Sequence, residues 1–225
     1  MSMATLLLRL AGPMQSWGTT SRFDERDTQL EPSKSGVLGL VCAALGRDRT
    51  EPVADLAALR MGVRIEREGV PMRDYQTATG VAIASSGKPD FTRTVVSPRY
   101  YLADAVFLVG LEGEFSALAV IDEALASPVW PLALGRKSFV PSLPVHLPDG
   151  LIDQPLAATL ASWPCLLSGG QPQEPRRVLL EHPTEGSVRL DQPVAPFSER
   201  RFGPRFVKSE LFFTGAAHVP DPTAA

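Results

Sequence analysis

Residues 4–11 (ATLLLRLA) form an almost unbroken apolar run that stops at Gly12-Pro13. A strand buried on both faces of a sheet carries this pattern, because neither side needs a polar residue. The run AVFLVGL (105–111) reads the same way. Between them, SKSGVLGLVCAALG (33–46) sets Val37, Val41 and Leu45 along one helical face, with Leu38 beside them. Ser33 is placed to cap this helix and Gly46 to end it. Gly36 and Gly39 lie inside it, where glycine weakens a helix, so something is expected to approach the backbone closely there. Further helices are predicted over 52–60 and 115–127; in the latter Leu118, Ile121 and Leu125 share a face. MGVRIERE (61–68) alternates Val63 and Ile65 with Arg64 and Glu66, the period of a half-buried strand.

From Asp74 to Tyr101 two β-prone stretches flank Ser85-Ser86-Gly87-Lys88-Pro89-Asp90, which predicts a protruding hairpin with a long tip. The segment from Pro128 to Pro148 is rich in Pro and Gly and reads as irregular. Beyond Leu151, QPLAATLASWP suggests a short helix, and 175–182, 186–193 and 205–213 read as strands. The order strand, helix, strand, hairpin, strand, helix, strands is that of split βαβ units. The expected class is therefore α+β, with a ferredoxin-like domain over 1–150 and a hairpin insertion at 74–101. Strands within 151–215 are expected to pack on the same domain, and 216–225 to form a loose tail. One well-known module binds RNA on the open face of such a sheet, although fold order alone assigns no function.

Composition narrows the choices. The 22 basic and 25 acidic residues leave a net charge of -3, which argues against a protein that coats nucleic acid through overall charge. Any such role needs a local patch. Of the basic residues all but Lys34, Lys88, Lys137 and Lys208 are Arg, a bias of either GC-rich coding or planar gripping of phosphates and bases. The two cysteines, Cys42 and Cys165, are far apart and support neither a disulfide framework nor a zinc cluster. With no apolar run of the roughly 20 residues that span a bilayer and no cleavage pattern after the first strand, the expectation is a reduced, cytoplasmic protein.

Five stretches could carry chemistry. In GPMQSWG (12–18), Trp17 either stacks on a base while Gln15 bonds its edge, or packs beneath the polar connection that runs from Gly12 to Pro32. The helix start SKSG gathers free N–H groups, Lys34 and two hydroxyls, making either an anion site or a plain cap with a solvated lysine. It lacks the spacing of a phosphate-binding P-loop. LGRK (134–137) offers Arg136 and Lys137 after a glycine, and Arg99-Tyr100-Tyr101 stands at the base of the hairpin. ERRFGPRFVKSE (199–210) is the densest basic cluster, either a ligand surface or a charged strand face. Catalytic patterns are weak: His146, His182 and His218 stand alone, and HExxH, CxxC and GxSxG are absent. A metal-free ribonuclease would have to recruit groups such as His146, Tyr75 and Lys137, whose spacing fixes no site.

Taken in order, RLAGPMQSWG (9–18), PSKSGVLGLVCAALG (32–46), RDYQT (73–77) and LGRK resemble the CasD subunits of type I-E CRISPR Cascade complexes, part of the RAMP superfamily. The resemblance runs from Thr5 to about Phe213. It implies an RRM-related domain with a thumb-like β-hairpin that holds the 5′ handle of the CRISPR RNA and caps the backbone filament. It implies as partners the adjacent backbone subunit, met by the thumb where the RNA kinks, and the large subunit, with no membrane, metal or cofactor. Because a separate subunit cuts the precursor in this subtype, it implies a non-catalytic role. Related subunits of another subtype are the processing nuclease, so a metal-independent endoribonuclease is the alternative. Matched motif by motif, the implied RNA-binding residues are Gln15, Trp17, Lys34, Ser35, Tyr75, Arg99, Arg136 and Lys137. Relatives often carry His where Gln76 stands, the segment from Gly80 to Ser97 assigns no contacts, and Asp24-Glu25-Arg26-Asp27 is poorly matched.

Overall fold

The computed structural model describes residues 3–19, 25–82, 87–167 and 175–213. The chain is a mixed α+β structure built on antiparallel sheets. Strands β1 (Met3–Ala11), β3 (Arg60–Arg67) and β6 (Val106–Glu114) form the centre of a seven-stranded sheet, while β2 (Met14–Gln15) leaves it for a second sheet. β7 (His146–Ile152) lies outside β1 at one edge. β8 (Pro175–His182), β10 (Phe202–Phe213) and β9 (Ser187–Pro193) extend the other side, giving the order β7-β1-β6-β3-β8-β10-β9.

The unbroken apolar run of β1 is explained by two layers. Leu6, Leu8 and Leu10 point into the larger core, shared with α1 (Lys34–Leu45) and α3 (Phe115–Ala126). Leu7 points the other way, into a smaller core beneath α4 (Leu156–Ser162). Helix α4 sits close because Gly62 pairs with Gly110 across β3 and β6. A Cβ at Gly110 would fall 2.5 Å from Leu156 Cδ1, and one at Gly62 would fall 2.7 Å from Leu160 Cδ1.

This second layer overturns the reading of β3 as half-buried. Arg64 and Glu66 are buried on the α4 side, at 0% and 5% exposure. Arg64 Nε donates to Glu66 Oε1 at 2.8 Å, and its Nη atoms donate to the carbonyls of Leu160, Trp163 and Pro164. The guanidinium thus closes the carboxyl end of α4, where carbonyls lack helical partners. Over β1, β6 and β3 both sheet faces are covered, so an open central face is not available to a ligand.

The second sheet has the order β2-β5-β4 and is dominated by the predicted hairpin. β4 (Val70–Ala82) and β5 (Pro89–Ala103) pair from Val70↔Ala103 to Ala82↔Pro89; part of the tip lies outside the described residues. The predicted helix over 52–60 is cut to α2 (Ala54–Ala57), because Arg60 already enters β3. β7 interrupts a stretch expected to be irregular. Its Pro148 is tolerated because β7 is an edge strand, with a register shift where it pairs with β1. The expected tail lies outside the described residues. No helix among the described residues is long and apolar enough to cross a membrane.

Candidate nucleic-acid interface

The turn after β1 and the segment 134–136, far apart in sequence, are stapled together by backbone. Ser16 N donates to Leu134 O at 3.0 Å. Gly135 has φ +93°, and a Cβ there would lie 1.8 Å from Ser16 O. Only glycine serves at that position. The staple fixes Arg136, whose Nη2 donates to Tyr100 O at 2.8 Å and Arg26 O at 3.1 Å. Its guanidinium also lies over the Phe139 ring, 5.3 Å from the centroid. Arg26 itself bridges β5 as a short parallel partner of Arg99, with Arg26 N donating to Pro98 O and Tyr100 N to Arg26 O.

The start of α1 meets the same place. Ser33 caps the helix by accepting from Gly36 N at 3.3 Å, and Gly46 ends it in the left-handed region. Gly36 is where the close approach occurs: a Cβ there would lie 2.8 Å from Trp17 Cε3, whereas Gly39 faces open space. Lys34 N donates to Asp191 Oδ2, and Val37 N to Ser33 O. Ser35 N–H and hydroxyl have no protein partner among the described residues, and Ser35 is half-buried at the surface of a cleft.

That cleft has a volume of about 380 Å³. Trp17, Ser35, Gly135 and Arg136 all line it, together with Arg26, Arg49, Arg200, Phe197 and Phe202. Four arginines face one carboxylate, Asp27, so the cleft is cationic in a chain of net charge -3. The Arg136 guanidinium is held below its ordinary range, first by burial and then by the neighbouring Arg99 and Arg26 charges. Like charges gathered in this way are relieved by an anion. The open cleft, a helix start and guanidinium groups suit phosphate, and the exposed Phe202 offers a stacking face.

Not every expected residue faces this cleft as expected. Gln15 is fully buried: Nε2 donates to Ala105 O at 2.8 Å and Leu10 O at 3.2 Å, and Oε1 accepts from Trp17 Nε1 at 3.2 Å. Trp17 is 1% exposed, so it packs beneath the connection and forms the cleft's floor with almost no surface to stack on. Lys34 is corrected most clearly. Its side chain is 1% exposed, and Nζ lies 3.0 Å from both Glu181 oxygens, so it binds β8 and is not solvated. Tyr75 is 68% exposed. By register it lies on the opposite hairpin face from Arg99, which pairs with Asp74. Arg99 is half-buried and does not line the cleft, and its buried Nε has no hydrogen-bond partner among the described residues. Lys137 is exposed beside Arg136. The 199–210 cluster divides: Arg200 lines the cleft, but Arg205 is buried on Asp191, Arg201 pairs with Glu199, and Lys208 with Glu185.

Arg26, Arg49 and Phe197 were missed as site residues. Arg26 sits in a locally acidic stretch, and its place depends on a bridge to a strand more than seventy residues away. Arg49 is positioned by the segment around 197, through Arg49 Nη2 to Phe197 O at 3.1 Å. Neither leaves a local signal. His146 lines no part of the cleft; its Nε2 lies 3.0 Å from Asp122 Oδ1 of α3. Among the described residues no His, Cys, Asp and Glu group is arranged to hold a metal.

Comparison with known proteins agrees in sequence and in structure. The family model described as CRISPR-associated protein (Cas5) matches residues 5–208. The CRISPR system Cascade subunit CasD of Escherichia coli (strain K12) is 36% identical over 169 residues, covering 69% of this chain and 75% of that protein. A crystal structure of a Cas protein superposes with a TM-score of 0.77 at 52% identity, covering 93% of this chain and 95% of the other. A chain of a CRISPR RNA-guided surveillance complex superposes with a TM-score of 0.76 at 34% identity, covering 94% and 91%. A family match over nearly the whole length, with these relatives, establishes that the chain belongs to the Cas5 family of CRISPR-associated proteins.

Proposed function

We propose that this chain is a non-catalytic RNA-binding subunit of a CRISPR surveillance complex, and that the arginine cleft holds the 5′ handle of the guide RNA. The observation that carries the reading is the convergence of Ser35, Gly135, Arg136 and three further arginines in one open cleft on an otherwise acidic chain. The relatives' names supply the context: one is a Cascade subunit, and another belongs to an RNA-guided surveillance complex. Such a subunit works in the cytoplasm, where its guide RNA is made.

The fold fits that role. β1, α1, β3, β6, α3 and β7 follow one another as β-α-β-β-α-β, which we read as a ferredoxin-like core. The β4–β5 hairpin is inserted between its second and third strands, and we read it as the thumb. Its exposed Val70, Met72, Tyr75, Phe91 and Val96 suit a protein neighbour, the backbone subunit of the filament. The large subunit is the second expected protein partner.

The nuclease alternative has less support. A proton-transfer pair must lie within hydrogen-bond reach of one phosphate, yet neither His146 nor Tyr75 lines the cleft, and Tyr75 stands on the hairpin. Incubating the purified chain with its repeat RNA, with and without magnesium, should give binding without a specific product. Site-specific cutting lost in Tyr75→Phe or His146→Ala would replace this reading with the nuclease one.

A further inference from the structure

The layer beneath α4 holds a charge cluster that takes no part in the cleft. Two guanidiniums share one carboxylate there. Arg64 Nε donates to Glu66 Oε1 at 2.8 Å; Arg176 Nη1 lies 3.3 Å from Glu66 Oε2 and donates to the Glu66 backbone carbonyl at 2.9 Å. All three residues are buried, Arg176 at 8% exposure. Buried charges are costly unless they are matched, and here one positive charge is left over. Burial holds the Arg64 guanidinium below its ordinary range; Glu66 opposes this, the Arg176 charge adds to it, and negative charge at Cys165 would oppose it.

Cys165 completes the cluster. Its half-buried Sγ accepts from Arg176 Nη2 at 3.1 Å and from Leu167 N at 3.3 Å, and lies 3.5 Å from Glu66 Oε2. One donor beside it is orphaned: Arg176 Nε is buried with no hydrogen-bond partner among the described residues. Nε and Nη2 share an edge of the planar guanidinium, and such an edge binds two acceptors side by side. Arg205 shows the edge filled, with Nε and Nη2 donating to Asp191 Oδ1 and Oδ2 at 2.6 and 2.9 Å. At Arg176 the same edge has a sulfur on one donor and nothing on the other. An oxygen bonded to that sulfur is the acceptor it lacks.

We propose that Cys165 is a peroxide-reactive thiol and that Arg176 holds the sulfenate it forms. Reactive cysteines sit in electropositive, partly exposed surroundings; Cys165 has them, and Cys42, enclosed in the larger core, does not. Sγ attacks one oxygen of hydrogen peroxide. An S–O bond forms as the O–O bond breaks, so the sulfur is oxidised and the peroxide reduced. The departing hydroxide takes the thiol proton and leaves as water. The sulfenic acid then gives its proton to solvent, and its oxygen accepts from Arg176 Nε. The product supplies the missing negative charge and the missing acceptor together. Cys165 lies just past the end of α4 and Arg176 lies on β8, so oxidation ties this helix end more firmly to the sheet.

The test treats the full chain with hydrogen peroxide in the presence of dimedone, a 1,3-diketone that captures sulfenic acids. Labelling of each cysteine is followed by peptide mass spectrometry, in native buffer and in urea. In urea the two cysteines should label at similar rates. Native Cys165 should label faster than it does in urea, by about tenfold, the effect of one charge-assisted hydrogen bond on a barrier. Native Cys42 should label more slowly than in urea. Arg176→Lys keeps the charge but loses the paired donors, and should remove the native advantage of Cys165; the comparison within the parent chain stands whether or not that variant folds. Without dimedone, peroxide should raise the Tm of the parent relative to Cys165→Ser, which reports oxidation elsewhere. Native Cys165 that labels no faster than in urea overturns the proposal. Labelled Cys165 with no gain in Tm over Cys165→Ser refutes the hold by Arg176.

Discussion

Lys34→Met separates a residue that builds the site from one that touches RNA. The Lys34 side chain is 1% exposed, with Nζ 3.0 Å from both oxygens of Glu181, whose own side chain is 18% exposed. Burial pulls the ammonium below its ordinary range, opposed by the Glu181 charge and hydrogen bond. Methionine keeps most of the apolar stem but strands the carboxylate. Removing one partner of a buried pair costs about 3–5 kcal/mol. Glu181 keeps Met61 N as a donor at 3.1 Å and Arg205 Nη1 at 4.0 Å, so the lower end applies, about 3 kcal/mol. For a chain of this length each kcal/mol moves Tm by about 2–4 °C, predicting a fall of about 6–12 °C. The slope of log affinity against log salt for handle RNA should stay where it was. Replacing both partners, Lys34→Met with Glu181→Gln, should restore much of the lost Tm, because no charge is then left unpaired and the amide oxygen can still accept from Met61 N. Thermal melts and salt titrations of the three proteins decide the matter. An unchanged Tm with a slope lowered by roughly 0.7, the signature of one lost phosphate contact, would refute the reasoning.

Further predictions follow from the same geometry. Arg49→Ala and Arg200→Ala, at exposed cleft positions, should each lower the salt slope by roughly 0.7 with little change in Tm. Gly110→Ala should cost about 1–3 kcal/mol in urea unfolding by pushing Leu156 off the sheet, and RNA affinity measured on the folded fraction should hold. Burial pushes the Cys42 thiol up from 9.0 to about 11. The unfolded chain therefore releases that proton first, and stability falls as pH rises between those two values. Denaturation midpoints at about pH 8 and about pH 10.5 should diverge more in the parent than in Cys42→Ala.

The architecture was legible wherever one residue face decided it. β1 and β6 were visible as continuous apolar runs, and α1 was visible from its cap, its stripe and Gly46. The hairpin was visible from paired β-prone stretches. Reading failed where a distant element changed the meaning of a polar residue. Arg64 and Glu66 mimic a wet strand face, but α4 arrives about a hundred residues later and turns both into buried cap and counter-ion. Lys34 reads as a free cation at a helix tip until β8 brings Glu181 to it. Gln15 and Trp17 sit in the first turn that the glycines mark, where burial makes them its internal brace. Ser35 and Gly135-Arg136, which line the cleft, stand at places legible in the sequence because glycine and a helix start have local causes. Arg26 and Arg49 do not, since each is placed by backbone contacts that exist only in the folded chain.

Ultraviolet crosslinking of the assembled ribonucleoprotein, with mapping of the linked peptides, tests the central claim most directly. The cleft predicts handle-RNA crosslinks in the segments holding Trp17, Arg26, Arg136 and Phe197 to Phe202. Handle crosslinks confined to other surfaces of this chain, or none to it at all, would contradict the account.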